Sequence, residues 1–234
     1  MASEIHYALD TNVVVAATIG PADRLWSDWS RFDATEATSR FVPSLVREEF
    51  YAVVEGIGSP RPGVVDQVVS DTLIAIRLGM ASPPTEIALA AAGITGNRLQ
   101  KVRLLLADFH RQSRTWDQEV ARGLLREFER GYAVRKTDFF ERHPVNTSLE
   151  PSACAATRLK LAPLVPNGGQ SWLRDCEILA QVNHILAVGA ANGHFVTEDA
   201  HHIGRHAKQI VQLTVIQGIR NLSGTPFHAS SVRP

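Results

Sequence analysis

Cysteine is almost missing: Cys154 and Cys176 are the only two in 234 residues. No zinc-like pairing can be made from them, and two lone thiols suit a reducing cytosol. A surplus of either charge is missing too, since 24 Lys and Arg stand against 24 Asp and Glu. Proteins that hold nucleic acid unaided usually carry a basic excess, so any such binding here needs a local basic face. No apolar run approaches the roughly 18 residues of a membrane helix. The opening "MASEIHYALD" has neither the basic nor the apolar region of a signal peptide. A cytoplasmic protein without a membrane segment is expected. Internal repeats and low-complexity tracts are absent. What is present is ordinary for a globular chain, 44% hydrophobic and 21% charged, and long enough for a sizeable core.

Strand signals gather at the two ends. Residues 5–10, "IHYALD", form a short apolar run that stops at Asp10, with turn chemistry from Thr11 and Asn12. The run Val13-Val14-Val15 fits either a continued strand or a helix. "FVPS" (41–44) is a second strand candidate, and Ser44 opens the helix "SLVREEFYAVVEGIG". From about 60 to 142 the periodicity is helical, and 143–170 reads as a proline-rich connection around one short helix. The alternation then returns: an apolar helix from Ser171 to Gly193, a strand "HFVTED", a helix "AHHIGRHA" and a strand "QIVQLTVI". Strand–helix–strand at this spacing predicts parallel pairing. The expected fold is α/β: a core from residues 1–58 and 171–218, a helical insertion over 59–170, and a tail over 219–234.

"FVTEDAHHIG" (195–204) poses the functional question, because two carboxylates follow a buried strand directly. Taken alone, the stretch favours Asp199 as a helix N-cap; the sharper alternative makes it one wall of a metal site. Open parallel sheets bind ligands beyond the carboxyl ends of their strands, and Asp10 and Asp199 both stand where a strand should end. Asp175 lies early in the apolar helix beside Ile178, Leu179 and Val182, and Glu49 lies beside Phe50 and Val53. Carboxylates beside buried stripes need a reason. Four of them aimed at one sheet edge suggest an oxygen-ligand site for Mg²⁺ or Mn²⁺. Two carboxylates about 4 Å apart repel by roughly 4 kcal/mol at an effective dielectric near 20, so such a cluster calls for bound cations or protons.

These segments resemble the motifs of the PIN-domain nuclease family, and they occur in the family's order. "ALDTNVVV" is similar to the opening strand with Asp10 and its polar neighbour Asn12. "VPSLVREEF" resembles the second motif and favours Glu49 over Glu48. "RDCEILAQ" resembles the third, with Asp175, and "FVTEDAHH" the fourth, with Thr197 and Asp199. "RLKLAPLVPNGGQSWLRD" is similar to the lead-in of a larger PIN-like subfamily. The resemblance implies a three-layer PIN-like sandwich with a central parallel sheet. It also implies a Mg²⁺- or Mn²⁺-dependent endoribonuclease that cuts single-stranded RNA and leaves a 5′-phosphate and a 3′-hydroxyl. Asp10, Asp175 and Asp199 would be metal ligands, Glu49 a ligand or the group that orients the attacking water, and Asn12 and Thr197 their supports. Partners to look for are RNA, an antitoxin-like inhibitor protein and a second copy of the chain. The alternative is a catalytically silent PIN-like module that binds RNA or protein. A phosphatase of the haloacid-dehalogenase type would want Asp where Asn12 stands.

For substrate contact, residues 97–142 hold eleven Lys and Arg against seven Asp and Glu. Arg103, Arg111, Arg114, Arg122 and Arg126 are a candidate phosphate stripe, with Trp116 or Tyr132 for base stacking. A solvated, ion-paired helix face is the competing expectation. The same resemblance makes His201, two positions past the fourth acidic residue, a candidate substrate contact. His202 and His206 stand at i,i+4, a spacing able to bind a transition metal, but no HExxH pattern exists and both read as polar cover.

Overall fold

A computed structural model describes residues 5–35, 39–107, 109, 115–189, 191–223 and 225–227. Strand β1 (Ile5–Leu9) lies at the middle of a five-stranded, all-parallel sheet of order β3-β2-β1-β4-β5. Its neighbours are β2 (Ser39–Pro43) and β4 (Asn192–Val196), with Ala8 level with both Phe41 and Phe195. The edges are β3 (Val145–Asn146) and β5 (Gly218–Arg220). Tyr7, Ala8 and Leu9 on β1 and Phe195 and Val196 on β4 are all buried, as expected of parallel strands covered on both faces. Together with the many helices, this is an α/β fold consistent with a three-layer architecture.

The ambiguous valine run is helical: α1 spans Thr11–Ile19, with the N–H groups of Val13 and Val14 returning to the Asp10 carbonyl. Helix α2 (Trp26–Thr35) leads towards β2, and α3 (Ser44–Val54) follows it. The helical middle comprises α4 (Val64–Leu78), α5 (Glu86–Ala91), α6 (Gly96–Leu105) and the long α7 (Gln118–Arg142). Next come α8 (Pro151–Leu161) and α9 (Gly169–Val188), and after β4 a single π-turn (Ala200–Gly204) leads to α10 (Ala207–Leu213). No helix among the described residues is long and apolar enough to cross a membrane.

The chain forms two compact units, each assembled from separate stretches. The sheet-bearing unit comprises residues 1–14, 28–49 and 140–234. The helical unit comprises 15–27 and 50–139, and has its own core in which Ile76, Leu89, Ile94, Leu106, Phe109 and Trp116 pack together. The helical segment is thus bounded differently from the expected 59–170. Residues 140–170 stay with the sheet because α8 lies along α9, where the Asn183 amide donates to Thr157 Oγ1 at 3.1 Å. Residues 15–27 join the helices, where Lys101 pairs with Asp23 at 2.7 Å.

Two expectations near the C-terminus are corrected. "QIVQLTVI" is not a strand: α10 takes its first five residues, Gln209 to Leu213, and the rest is irregular; Ala207 and Ile210 are buried while Lys208, Gln209 and Gln212 face solvent. Burial there steps by three residues, and tertiary packing outweighs the β-branched composition. The strand comes later, at Gly218–Arg220, inside the stretch read as the end of the domain and its tail.

Candidate metal centre

Strand order locates the site. From β1 the chain steps to β2 and then β3 on one side, and β4 and β5 lie on the other. The reversal falls between β1 and β4, so the crevice beyond their carboxyl ends is the topological switch point, where open α/β sheets bind ligands. Asp10 follows β1 directly and Thr197–Asp199 follow β4, with the Asp10 N–H donating to the Val196 carbonyl at 3.0 Å. Because β4 is parallel to β1 and α9 precedes β4, the first turns of α9, with Asp175, come to this same edge. Glu49 reaches it from α3.

Asp10 is buried and held by three donors. The Thr11 N–H donates to Oδ1 at 2.8 Å, while Oδ2 accepts from the Asn12 amide at 2.9 Å and the Thr197 hydroxyl at 2.5 Å. Thr197 in turn accepts from Asn12 at 3.1 Å and from the Asp199 N–H at 3.0 Å. Asn12 Oδ1 accepts the N–H of Glu198 at 3.0 Å. One closed network therefore fixes the exits of both central strands. Glu49 accepts a hydrogen bond from the Thr11 hydroxyl. Its neighbour Glu48 is exposed and faces Arg174 at 3.7 Å. The two carboxylates after β4 also divide: Glu198 accepts the Leu222 N–H at 2.7 Å, while Asp199 serves the site.

Asp199 is both cap and wall. Its Oδ1 accepts the N–H groups of His201 and His202 at 2.8 and 2.9 Å, capping the π-turn. Its Oδ2 stands 3.7 Å from His202 Nδ1, and Asp175 Oδ2 stands 3.5 Å from the same nitrogen. Asp175, Asp199 and His202 each offer one ligand atom, all within 4.8 Å of one another. Asp175 Oδ2 is buried and accepts no hydrogen bond. A buried acceptor left so costs on the order of 1–3 kcal/mol, and a cation would satisfy it.

The electrostatics fit that need. Burial pushes the Asp175 carboxyl up from 3.8 to about 7, and the charges of Asp199 and Glu49 push the same way. Burial also raises Asp10 to about 7, with Glu49 and Asp175 adding to the rise while the hydrogen bonds from Thr197 and Thr11 oppose it. The four carboxylates therefore form one electrostatic group. The donor set, two carboxylate oxygens and an imidazole nitrogen with two further carboxylates beside them, suits a small divalent cation.

The placement differs from expectation in two respects. Asp10 lies outside the tightest ligand group, its oxygens already engaged by three donors, and His202 takes a place in that group. In the sequence His202 is weighed only with His206 at i,i+4 and reads as polar cover; its approach to Asp175 depends on α9. His206 packs at a tilt on Trp172, ring centroids 6.2 Å apart. His201 is exposed, with its ring 5.1 Å from that of His202.

Of the basic candidates, Arg122 pairs with Glu119 and Arg103 with Glu86 on the exposed surface of the helical unit. Arg111 and Arg114 lie outside the described residues. The stacking candidates are corrected. Trp116 is buried and donates its indole N–H to the Gly79 carbonyl, and Tyr132 is buried and donates to Glu55 at 2.8 Å. Both rings belong to the packing of the helical unit.

Comparison of the chain with protein-family models, with curated proteins and with solved structures returns no match.

Proposed function

We propose that this chain is a PIN-like, metal-dependent endoribonuclease that hydrolyses phosphodiester bonds of single-stranded RNA. The observation that carries the reading is the meeting of Asp10, Glu49, Asp175 and Asp199, far apart in sequence, as one electrostatic group at the switch point of a parallel sheet. The ordered motifs support the PIN-like assignment and the choice of RNA.

Asp175 and Asp199 would hold the cation through their Oδ2 atoms, with Asp10 and Glu49 facing it. A bound Mg²⁺ or Mn²⁺ would neutralise the cluster, polarise the phosphodiester and make water acidic enough to attack in line. Thr197, Asn12 and the Thr11 N–H keep Asp10 oriented and favour its charged form. Glu49, which accepts a hydrogen bond from the Thr11 hydroxyl, would orient the attacking water and accept its proton.

The test is cleavage of a fluorescent single-stranded RNA with Mn²⁺ or EDTA by wild type, Asp10→Asn and Asp175→Asn. Cutting should require the metal and fall by about a hundredfold or more in Asp175→Asn. A wild type that leaves the RNA intact, or variants that cut equally well, would overturn the proposal.

A further inference from the structure

We infer that His202 is a direct ligand of the cation and that it biases the site towards Mn²⁺ over Mg²⁺. This rests on the metal-site reading above and goes beyond it, since the sequence motifs call only for oxygen ligands.

Three observations carry the inference. The first is spacing. Nδ1 stands 3.5 Å from Asp175 Oδ2 and 3.7 Å from Asp199 Oδ2. Ligands at about 2.1 Å from one cation lie about 3.0 Å apart at octahedral right angles and about 3.4 Å apart in a tetrahedron. Small side-chain adjustments therefore bring all three atoms onto one ion.

The second is how the residue is held. Its backbone N–H is fixed to Asp199 Oδ1 at 2.9 Å, and the imidazole stands edge-on to Trp172 with centroids 6.2 Å apart. Trp172 is buried, anchored by its indole N–H to the Ala162 carbonyl at 3.1 Å, and lies one turn before Asp175 on α9. The same two turns of helix thus supply a carboxylate ligand and the wall that orients the histidine.

The third is the neighbouring acceptor. Asp175 Oδ2 is buried and accepts no hydrogen bond, and the His202 nitrogen faces it beyond hydrogen-bonding length. One cation bound by both atoms would satisfy this acceptor.

The chemistry then sets the preference. Oxygen-only sites suit Mg²⁺, whereas an imidazole nitrogen favours the later divalent metals, and Mn²⁺ accepts mixed oxygen and nitrogen shells. The 234-residue chain should therefore bind Mn²⁺ more tightly than Mg²⁺ by on the order of tenfold or more. His202→Asp, which restores an all-oxygen set, should shrink that ratio, and His202→Gln should weaken Mn²⁺ more than Mg²⁺.

The measurement is calorimetric titration with each metal alone, together with pulsed EPR of the Mn²⁺ complex. Wild type should show nitrogen modulation from a coordinated imidazole, and both variants should lose it. Circular dichroism of the variants confirms folding, and His202→Gln preserves approximate size should His202→Asp misfold. If wild type binds Mn²⁺, and Asp175→Asn abolishes this, but nitrogen modulation is absent or the metal ratio is unchanged in both variants, His202 is no ligand and the metal site stands. If wild type binds neither metal, the site itself is refuted and the inference with it.

Discussion

The Thr197 hydroxyl has one proton and two lone pairs, and all three are used: it donates to Asp10 and accepts from Asn12 and the Asp199 N–H. That saturation keeps Asp10 in place although burial works against its charge. Sign matters for stability here. Asp10 and Asp175 are raised from 3.8 to about 7, so the metal-free native state favours their neutral forms. Their contribution is full below 3.8 and is lost as pH rises through about 7. His143 works the other way. Burial lowers it from 6.5 to about 4, so its contribution is present above 6.5 and lost as pH falls towards 4. Comparing Asp175→Asn with wild type in EDTA cancels the histidine. The melting temperature of the variant, relative to wild type, should climb as pH rises towards 7 and then level off. Above that pH the gain should be roughly 2–4 °C, from relief on the order of 1 kcal/mol. Mn²⁺ should stabilise wild type and leave the variant nearly unmoved. A variant that melts lower than wild type throughout, with both responding equally to Mn²⁺, would make Asp175 a structural residue.

Helix α3 owes its start to a buried side chain on α9. Gln181 is fully buried; its Oε1 accepts the Leu45 N–H at 3.1 Å and its amide donates to Ser44 Oγ at 2.7 Å and the Ser148 carbonyl at 3.3 Å. Gln181→Leu leaves those groups unpaired and should cost about 2–4 kcal/mol, seen as a lower urea midpoint with an unchanged m-value. A loss under about 0.5 kcal/mol would show that the cap is dispensable. The same elements show what the sequence discloses. The ends of β1 and β4 are legible because apolar runs stop at residues that make turns and caps, and Glu49 stands out from Glu48 by its place before Phe50. Val13–Val15 stay ambiguous and "QIVQLTVI" misleads because β-branched residues fit a helix once neighbours cover the right face. β5 escapes notice because three residues with one buried side chain carry no period. His202 reads as polar cover because its meaning depends on Asp175, which is distant in sequence and near only after folding.

At the scale of the whole chain, charge balance governs any interaction with RNA. Formal net charge is zero, and Arg103 and Arg122 each have a glutamate beside them. Arg122→Ala should therefore leave RNA affinity and its salt slope nearly unchanged. Charge reversal at Arg111 and Arg114 should weaken binding and lower the slope by about 0.7 for each phosphate no longer neutralised. Fluorescence anisotropy across a salt series, with a labelled RNA and a metal that does not support cleavage, reads both. The opposite pattern would move the phosphate path to α7.

The short outer strands of the sheet bear on how copies of this chain could meet. β3 offers two residues and β5 three. The β5 edge is already crossed by the returning chain, where the Phe227 N–H donates to the Ile219 carbonyl at 3.1 Å and Pro226 bridges to Arg220. Proline has no N–H to extend a ladder, and such short, covered margins are how proteins guard against edge-to-edge aggregation. The sheet thus gives a second chain little backbone on which to add a strand, and self-association would have to be written in side chains.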